Sequence, residues 1–301
     1  MSKASNEKLE KALEGIENYH AGLAGRMCEL EGLKPETVRS LLSAIEATAE
    51  AGHKPWHLAD ALSSGIESKA ITHRELALMP PHLEATAKAG YDPSYLARIL
   101  SKGLGSKAIT HNNLKQSAEW IREAMEAYIK AGYNPLFLAD ALSAGLGSKA
   151  ITHETLKQSA DHIKTALEAT AKAGHIPAGL TFLLYSGLES KTLTHRELAL
   201  MAPSLQATAK AGHDPTDIIS ALYPGLQSKA IPAEDLPELV KHLAAHARHD
   251  PRALAEQVIE AKKQLGIPFP EFIALRNKFL KRGHDPTAGS IVEFHRMSHK
   301  K

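Results

Sequence analysis

Cysteine, aromatic residues and long apolar runs are all scarce in this 301-residue chain. A single cysteine, Cys28, excludes an internal disulfide framework and any zinc site built on a cysteine cluster. No run of about 18 apolar residues occurs, so no segment is expected to span a membrane. No Val/Ile/Thr-rich alternating run calls for strands. The start, MSKASNEKLEKALEG, is charged and polar where a Sec signal peptide would be apolar. A cytoplasmic location is expected, with export by another route, as an effector, left open. Charge nearly cancels: 36 Lys and Arg face 34 Asp and Glu, for a net +2. That is not the balance of a strongly basic nucleic-acid binder, although it is compatible with a local basic stripe. Aromatics make up 5% of the chain, and alanine supplies much of its 43% hydrophobic content. Alanine favours helix and close helix–helix approach.

What the chain has is repetition. GLGSKAITH stands at 103–111 and again at 145–153. Variants occur as GIESKAITH at 65–73, GLESKTLTH at 187–195 and GLQSKAIPA at 225–233. A second marker, Gly followed by His or Tyr, any residue and Pro, begins at Gly52, Gly90, Gly132, Gly174 and Gly212, spaced 38, 42, 42 and 38 residues apart. It recurs at Gly283. Internal periods of this size mark stacked helical repeats.

Each repeat reads as two helices. Asp92, Asn134 and Asp214 stand where an N-cap belongs, with Pro93, Pro135 and Pro215 at the first helical position. Leu138, Ala141, Leu142 and Gly145 form one buried stripe at i, i+3, i+4, i+7. The first helix is expected to end at the glycine of the nonapeptide, in the left-handed conformation. Thr72 with Glu75, and Thr194 with Glu197, have capping-box spacing and open the second helix. Its buried face carries Leu114, Ala118, Ile121, Met125 and Tyr128 in one repeat, and Leu156, Ala160, Ile163 and Leu167 in the next. It closes at Lys-Ala-Gly, with lysine at the negative end of the dipole. Ile109 and Ile151 are expected to plug the core.

The short repeats lack four residues, about one helical turn, so the buried face keeps its phase. Their second helices contain Pro80-Pro81 or Pro203 and are expected to be kinked or split, whereas the long ones run on. A polar-rich helix over 5–31 and a helix over 35–51 make an N-terminal cap, 1–51. The array covers 52–231, and 232–301 forms a diverged C-terminal cap with a basic tail. The fold class is all-α, a right-handed α-solenoid of two-helix repeats with helical caps. One such repeat cannot bury its apolar face alone; stacked copies can.

The chemistry-bearing residues follow the same period. Gly-Ser-Lys after a helix is not the Gly-Lys-Ser/Thr order of a phosphate loop after a strand. A Ser–Lys dyad is equally unsuited, since catalysis does not need five copies. What remains is a row, Lys69, Lys107, Lys149, Lys191 and Lys229, set beside helix N-termini, either solvated or placed to meet a polyanion or acidic partner. His73, His111, His153 and His195 form a second row at the first turn of the second helices. Each repeat supplies one, too few to share a zinc ion with ligands about 2 Å away. The residues after the turn glycines alternate between His and Tyr, which fits packing better than base stacking. Asp60 and Asp140 stand where Arg98 stands in the repeat between them, which argues against a general acid or base. No metal site, catalytic residue or cofactor is expected.

The architecture is similar to the α-solenoid class that includes armadillo, HEAT and tetratricopeptide arrays. A short helix, a Gly-containing loop with Lys and a longer, proline-interrupted helix is also similar in plan to the repeats of TAL-effector-like DNA readers, over about residues 50–232. Their repeats are shorter, and their signature strings are not found here. That resemblance implies phosphate contacts through the lysines and bases faced by the residue before Ser-Lys, which varies as Glu67, Gly105, Gly147, Glu189 and Gln227. Glutamates there would repel phosphates. The expected function is a non-catalytic repeat-array binding module. A protein partner comes first, nucleic acid second, and an enzyme third, for which no site is found.

Overall fold

The computed structural model describes residues 13–18 and 20–227, with isolated positions at 10, 231, 236, 239, 240, 271, 274 and 278. Lys229, and the expected C-terminal cap and tail apart from those positions, lie outside the described residues. The chain divides into two compact bodies, Met1–Lys164 with Leu188–Lys191, and Thr165–Gly187 with Thr192–Lys301.

Every element among the described residues is helical. After helical backbone at 13–17 come α1 (Ala21–Cys28), α2 (Pro35–Glu50), α3 (Pro55–Glu67), α4 (His73–Leu78), α5 (Pro80–Lys88), α6 (Pro93–Ser106), α7 (Leu114–Lys130), α8 (Pro135–Ser148), α9 (His153–Lys172), α10 (Pro177–Glu189), α11 (His195–Lys210) and α12 (Pro215–Gln227). Within the first body the helices pack sequentially on their counterparts, with one or two elements between, in two rows: α1 on α3, α3 on α6 and α6 on α8; α2 on α5 and α5 on α7. In the second body α11 packs on α12. The helices are those of a repeat protein, and each expected stripe is buried, including Leu138 and Leu142 on α8 and Ile121, Met125 and Tyr128 on α7. Full burial of one such side chain stabilises by about 1.5–3 kcal/mol.

The turn glycines behave as expected. Gly52, Gly90, Gly132, Gly174 and Gly212 have φ between 79° and 86°. The amide after each closes back on a carbonyl five residues earlier: His53 to Thr48 (3.0 Å), Tyr91 to Thr86 (3.1 Å) and His175 to Thr170 (3.1 Å). This is the Schellman closure, which needs a residue at ease with positive φ. Asp92, Asn134 and Asp214 cap the following helices, accepting from Ser94, Leu136 and Thr216 N–H at 2.9, 3.0 and 2.8 Å. Thr72 and Thr194 form the expected capping boxes.

Three expectations are corrected. The N-terminal helix is broken: the backbone leaves helix at Asn18, and His20 caps α1 by accepting from Leu23 N–H at 2.9 Å. Pro80-Pro81 split the second helix of the first repeat into α4 and α5, as expected, whereas α11 continues through Pro203 without a split. Two consecutive prolines delete two N–H donors where one deletes a single donor. The backbone at Met79, between α4 and α5, is itself helical (φ −77°, ψ −41°), so the split is a gap in hydrogen bonding. The long repeats differ too, since a short 3₁₀ turn, His111–Asn113, precedes α7 whereas α9 starts directly at His153.

The third correction concerns the nonapeptide glycines. Gly65, Gly103 and Gly145 lie inside α3, α6 and α8, and the left-handed residue is the lysine four positions later. A Cβ on Gly103 would stand 2.7 Å from Ile109 Cδ1, and one on Gly145 would stand 2.5 Å from Ile151 Cδ1. These glycines make room for the plug; they do not end the helix.

Candidate binding surface

The connector positions its own side chains. Lys69, Lys107, Lys149 and Lys191 have φ of 57°, 66°, 66° and 58°, and all four are exposed. None has an ion-pair partner among the described residues. A left-handed conformation costs a residue with a Cβ roughly 1–2 kcal/mol, which glycine avoids. Glycine brings its own entropic penalty of about 0.5–1 kcal/mol. Lys107→Gly is therefore expected to raise stability by about 0.5–1 kcal/mol. A higher urea midpoint at unchanged slope is the expected readout; a lower midpoint would show that the lysine is held by the fold itself.

Two of the serines that precede these lysines tie neighbouring repeats of the first body together, whereas Ser68 donates only to Gly65 O of its own repeat, at 3.1 Å. Ser106 Oγ donates to Leu146 O at 2.6 Å, and Ser148 Oγ donates to Leu188 O at 2.6 Å. Both acceptors lie in the last turn of a helix, where carbonyls lack helical partners. Each serine also accepts from the amide two residues on, Ala108 or Ala150, at 3.2 Å. The Ser-Lys pair is thus half joint and half free cation.

Three members of the histidine row, His73, His111 and His153, belong to the joints of the first body. His73 lies against Gly32 of the N-terminal region. His111 Nδ1 is 3.4 Å from Glu75 Oε1. His153 donates its amide to Ala108 O at 3.0 Å and pairs Nδ1 with Ser117 Oγ at 2.9 Å. Its ring also stacks on Trp120 with centroids 4.9 Å apart. His195 opens α11 in the second body. Burial pushes the Glu75 carboxyl up, but hydrogen bonds from Thr72 and its own backbone, with His111 adding to them, leave it below its ordinary value. His82 is held down, first by burial and then by Arg122.

The residue before Ser-Lys also sits at a joint. Glu67 Oε1 accepts from Arg26 at 2.8 Å. A Cβ on Gly105 would be 3.2 Å from Ala70 Cβ. The His/Tyr row behaves alike: His53 Nε2 lies 3.0 Å from Gly90 O, and the Tyr133 ring is 5.1 Å from that of Tyr128.

Sequence reasoning missed why Arg98 interrupts Asp60 and Asp140. Arg98 Nη2 is 2.7 Å from Asp140 Oδ1, and Asp60 Oδ1 is 2.8 Å from His20 Nε2. Arg98 and Asp140, equivalent positions of neighbouring repeats in the first body, thus meet as opposite charges. The signal was present as the alternation itself. Tyr95 stands beside this row, 5.9 Å from the Arg98 guanidinium carbon. Burial and then Asp92 raise its hydroxyl above the usual tyrosine value. Among the described residues no group of three or more His, Cys, Asp or Glu could hold a metal ion, and Cys28 is exposed. No helix among the described residues is long and apolar enough to cross a membrane.

No protein-family model matches this chain, and neither a curated protein nor a solved structure does.

Proposed function

We propose that the chain is a non-catalytic binding module, a right-handed α-solenoid of two-helix repeats with helical caps, which recognises a protein partner along its repeated surface. The observation that carries this reading is the row Lys69, Lys107, Lys149 and Lys191. Four exposed cations, without ion-pair partners among the described residues, occupy a conformation that glycine would adopt more easily. Local strain of this kind is kept where something besides stability selects it. Stacked repeats offer such groups along one extended line. A protein partner is favoured because the cations are not alone: Glu67 and Glu189 precede Lys69 and Lys191 by two residues, and the net charge is +2.

Nucleic acid is the second reading, favoured by the regular spacing of the lysines. The two are separated by replacing Lys69, Lys107, Lys149, Lys191 and Lys229 with Glu and measuring anisotropy of labelled oligo-dT and a mixed-sequence duplex. On the protein reading the parent binds both no better than the variant at physiological salt. Parent binding that falls steeply with salt, and is absent in the variant, would replace the protein reading with the nucleic-acid one.

A further inference from the structure

We infer that the groove between α3 and α6 in the first body seats a protein segment whose side chains carry both charge signs. This rests on the protein-binding reading above and names the surface that selects the partner. The groove encloses about 640 Å³ and is lined by His57, Asp60, Ser64, Tyr95, Arg98 and Lys102, among others. That volume falls within the range of built binding sites.

The repeats supply the first argument. Ten residues after each turn glycine stands Leu62, Leu100, Leu142, Leu184 or Leu222, one residue type throughout. The connector keeps its lysine in every copy. Eight residues after the same glycine the side chain changes each time or alternates: Asp60, Arg98, Asp140, Phe182, Ser220. Twelve residues after it stand Ser64, Lys102, Ala144, Ser186 and Pro224. Copies of one block hold the positions that fold them and vary those that distinguish them, and the variable positions of the first two repeats line this groove.

Exposure supplies the second. Among the described residues the large apolar side chains left exposed are Trp56 (48%), Ile176 (75%) and Phe182 (68%). Trp56 lies on α3, the helix that forms one wall of the groove, while Phe182 on α10 and Ile176 before it belong to the second body. Exposed aromatics are enriched at protein-binding surfaces.

Charge identifies the occupant. Lys102 is exposed, with no ion-pair partner among the described residues. Asp60 faces the groove with His20 as its contact. A phosphate backbone entering here would meet Asp60. A peptide can offer an acidic side chain to Lys102 and a basic one to Asp60, while the Ser64 and Ser94 hydroxyls can each donate and accept for its main chain.

The test is selection of phage-displayed random peptides on the full chain and on two charge-reversed variants, Lys102→Glu and Asp60→Lys. Both positions are exposed, and circular dichroism verifies folding. Peptides selected by the parent should carry an acidic and a basic residue at fixed spacing. Each variant should bind them about tenfold more weakly and should regain affinity for the peptide with the matching charge reversed. Amide shifts on binding should centre on α3 and α6. Peptides bound equally by all three proteins, or lost only when the connector lysines are reversed, would overturn the groove assignment while leaving a protein-binding module. A chain that enriches no peptide, or that binds oligo-dT alone, would overturn both.

Discussion

Replacing Ile151 with alanine is expected to destabilise the protein by about 2–5 kcal/mol, the cost of a buried large-to-small change. Ile151 is fully buried, and its amide donates to Gly145 O at 2.9 Å. Its side chain lies over Gly145, filling the place where a Cβ would stand. Removing it leaves a void between the end of α8 and the start of α9, two elements whose backbones are already fixed by caps. Collapse into that void is therefore restricted, and the loss should fall in the upper part of the range. Equilibrium urea unfolding followed by circular dichroism gives the value. A loss below about 1 kcal/mol would show that Ile151 is not the plug of the joint.

Gly145→Ala is expected to destabilise by about 1–3 kcal/mol, the usual penalty for overpacking. Helix propensity points the other way, since alanine is the better helix former by about 1 kcal/mol. Sterics should win here because the added Cβ would stand 2.5 Å from Ile151 Cδ1, 2.8 Å from Cγ1 and 3.3 Å from Cβ. The methyl end could swing away; the inner carbons follow the backbone and cannot move as far. The double variant Gly145→Ala/Ile151→Ala should be more stable than the sum of the two single losses predicts, by about 0.5–3 kcal/mol, because each change makes room for the other. Additivity within about 0.5 kcal/mol would separate the two residues and refute the steric role of the glycine.

These two residues also show where the sequence could be read and where it could not. The connector was legible as a joint, and Ile151 as its plug, because an apolar residue between two polar turns has few other uses. The role of Gly145 was not legible. A glycine that ends a helix and one that admits a neighbouring side chain look alike in a sequence, and only the packing of Ile151 distinguishes them. Lys149 gave no warning of its left-handed backbone, since lysine has no preference for it. The opposite holds at Gly132, where Lys-Ala-Gly followed by Tyr-Asn-Pro states both the Schellman end and the next N-cap. His20 escaped notice as an N-cap because its imidazole nitrogen does what Ser, Thr, Asp or Asn ordinarily does.

The candidate surface was legible in part. The lysine row could be listed by number, but that Lys69, Lys107, Lys149 and Lys191 stand exposed and without ion pairs among the described residues depends on the surrounding structure. The histidine row was equally visible in sequence, yet what His153 does depends on Trp120 and Ser117, more than 30 residues earlier in the chain. Alternation of Asp60, Arg98 and Asp140 could be seen without being understood, because its meaning lies in contact between equivalent positions of different copies. Residues that act within a repeat are readable from spacing. Residues that act between repeats need the neighbour.

Interchangeable copies, each resting on its neighbour, are the central claim. The most direct measurement deletes one copy. Removing residues 132–173 joins Ala131 to Gly174 and restores the Lys-Ala-Gly junction unchanged. Helicity per residue by circular dichroism should match that of the parent, with one cooperative unfolding transition at a lower midpoint, because one repeat interface is missing. A deletion variant that loses helicity throughout the chain would contradict the account, because it would show that the copies depend on a single closed core and not on their neighbours.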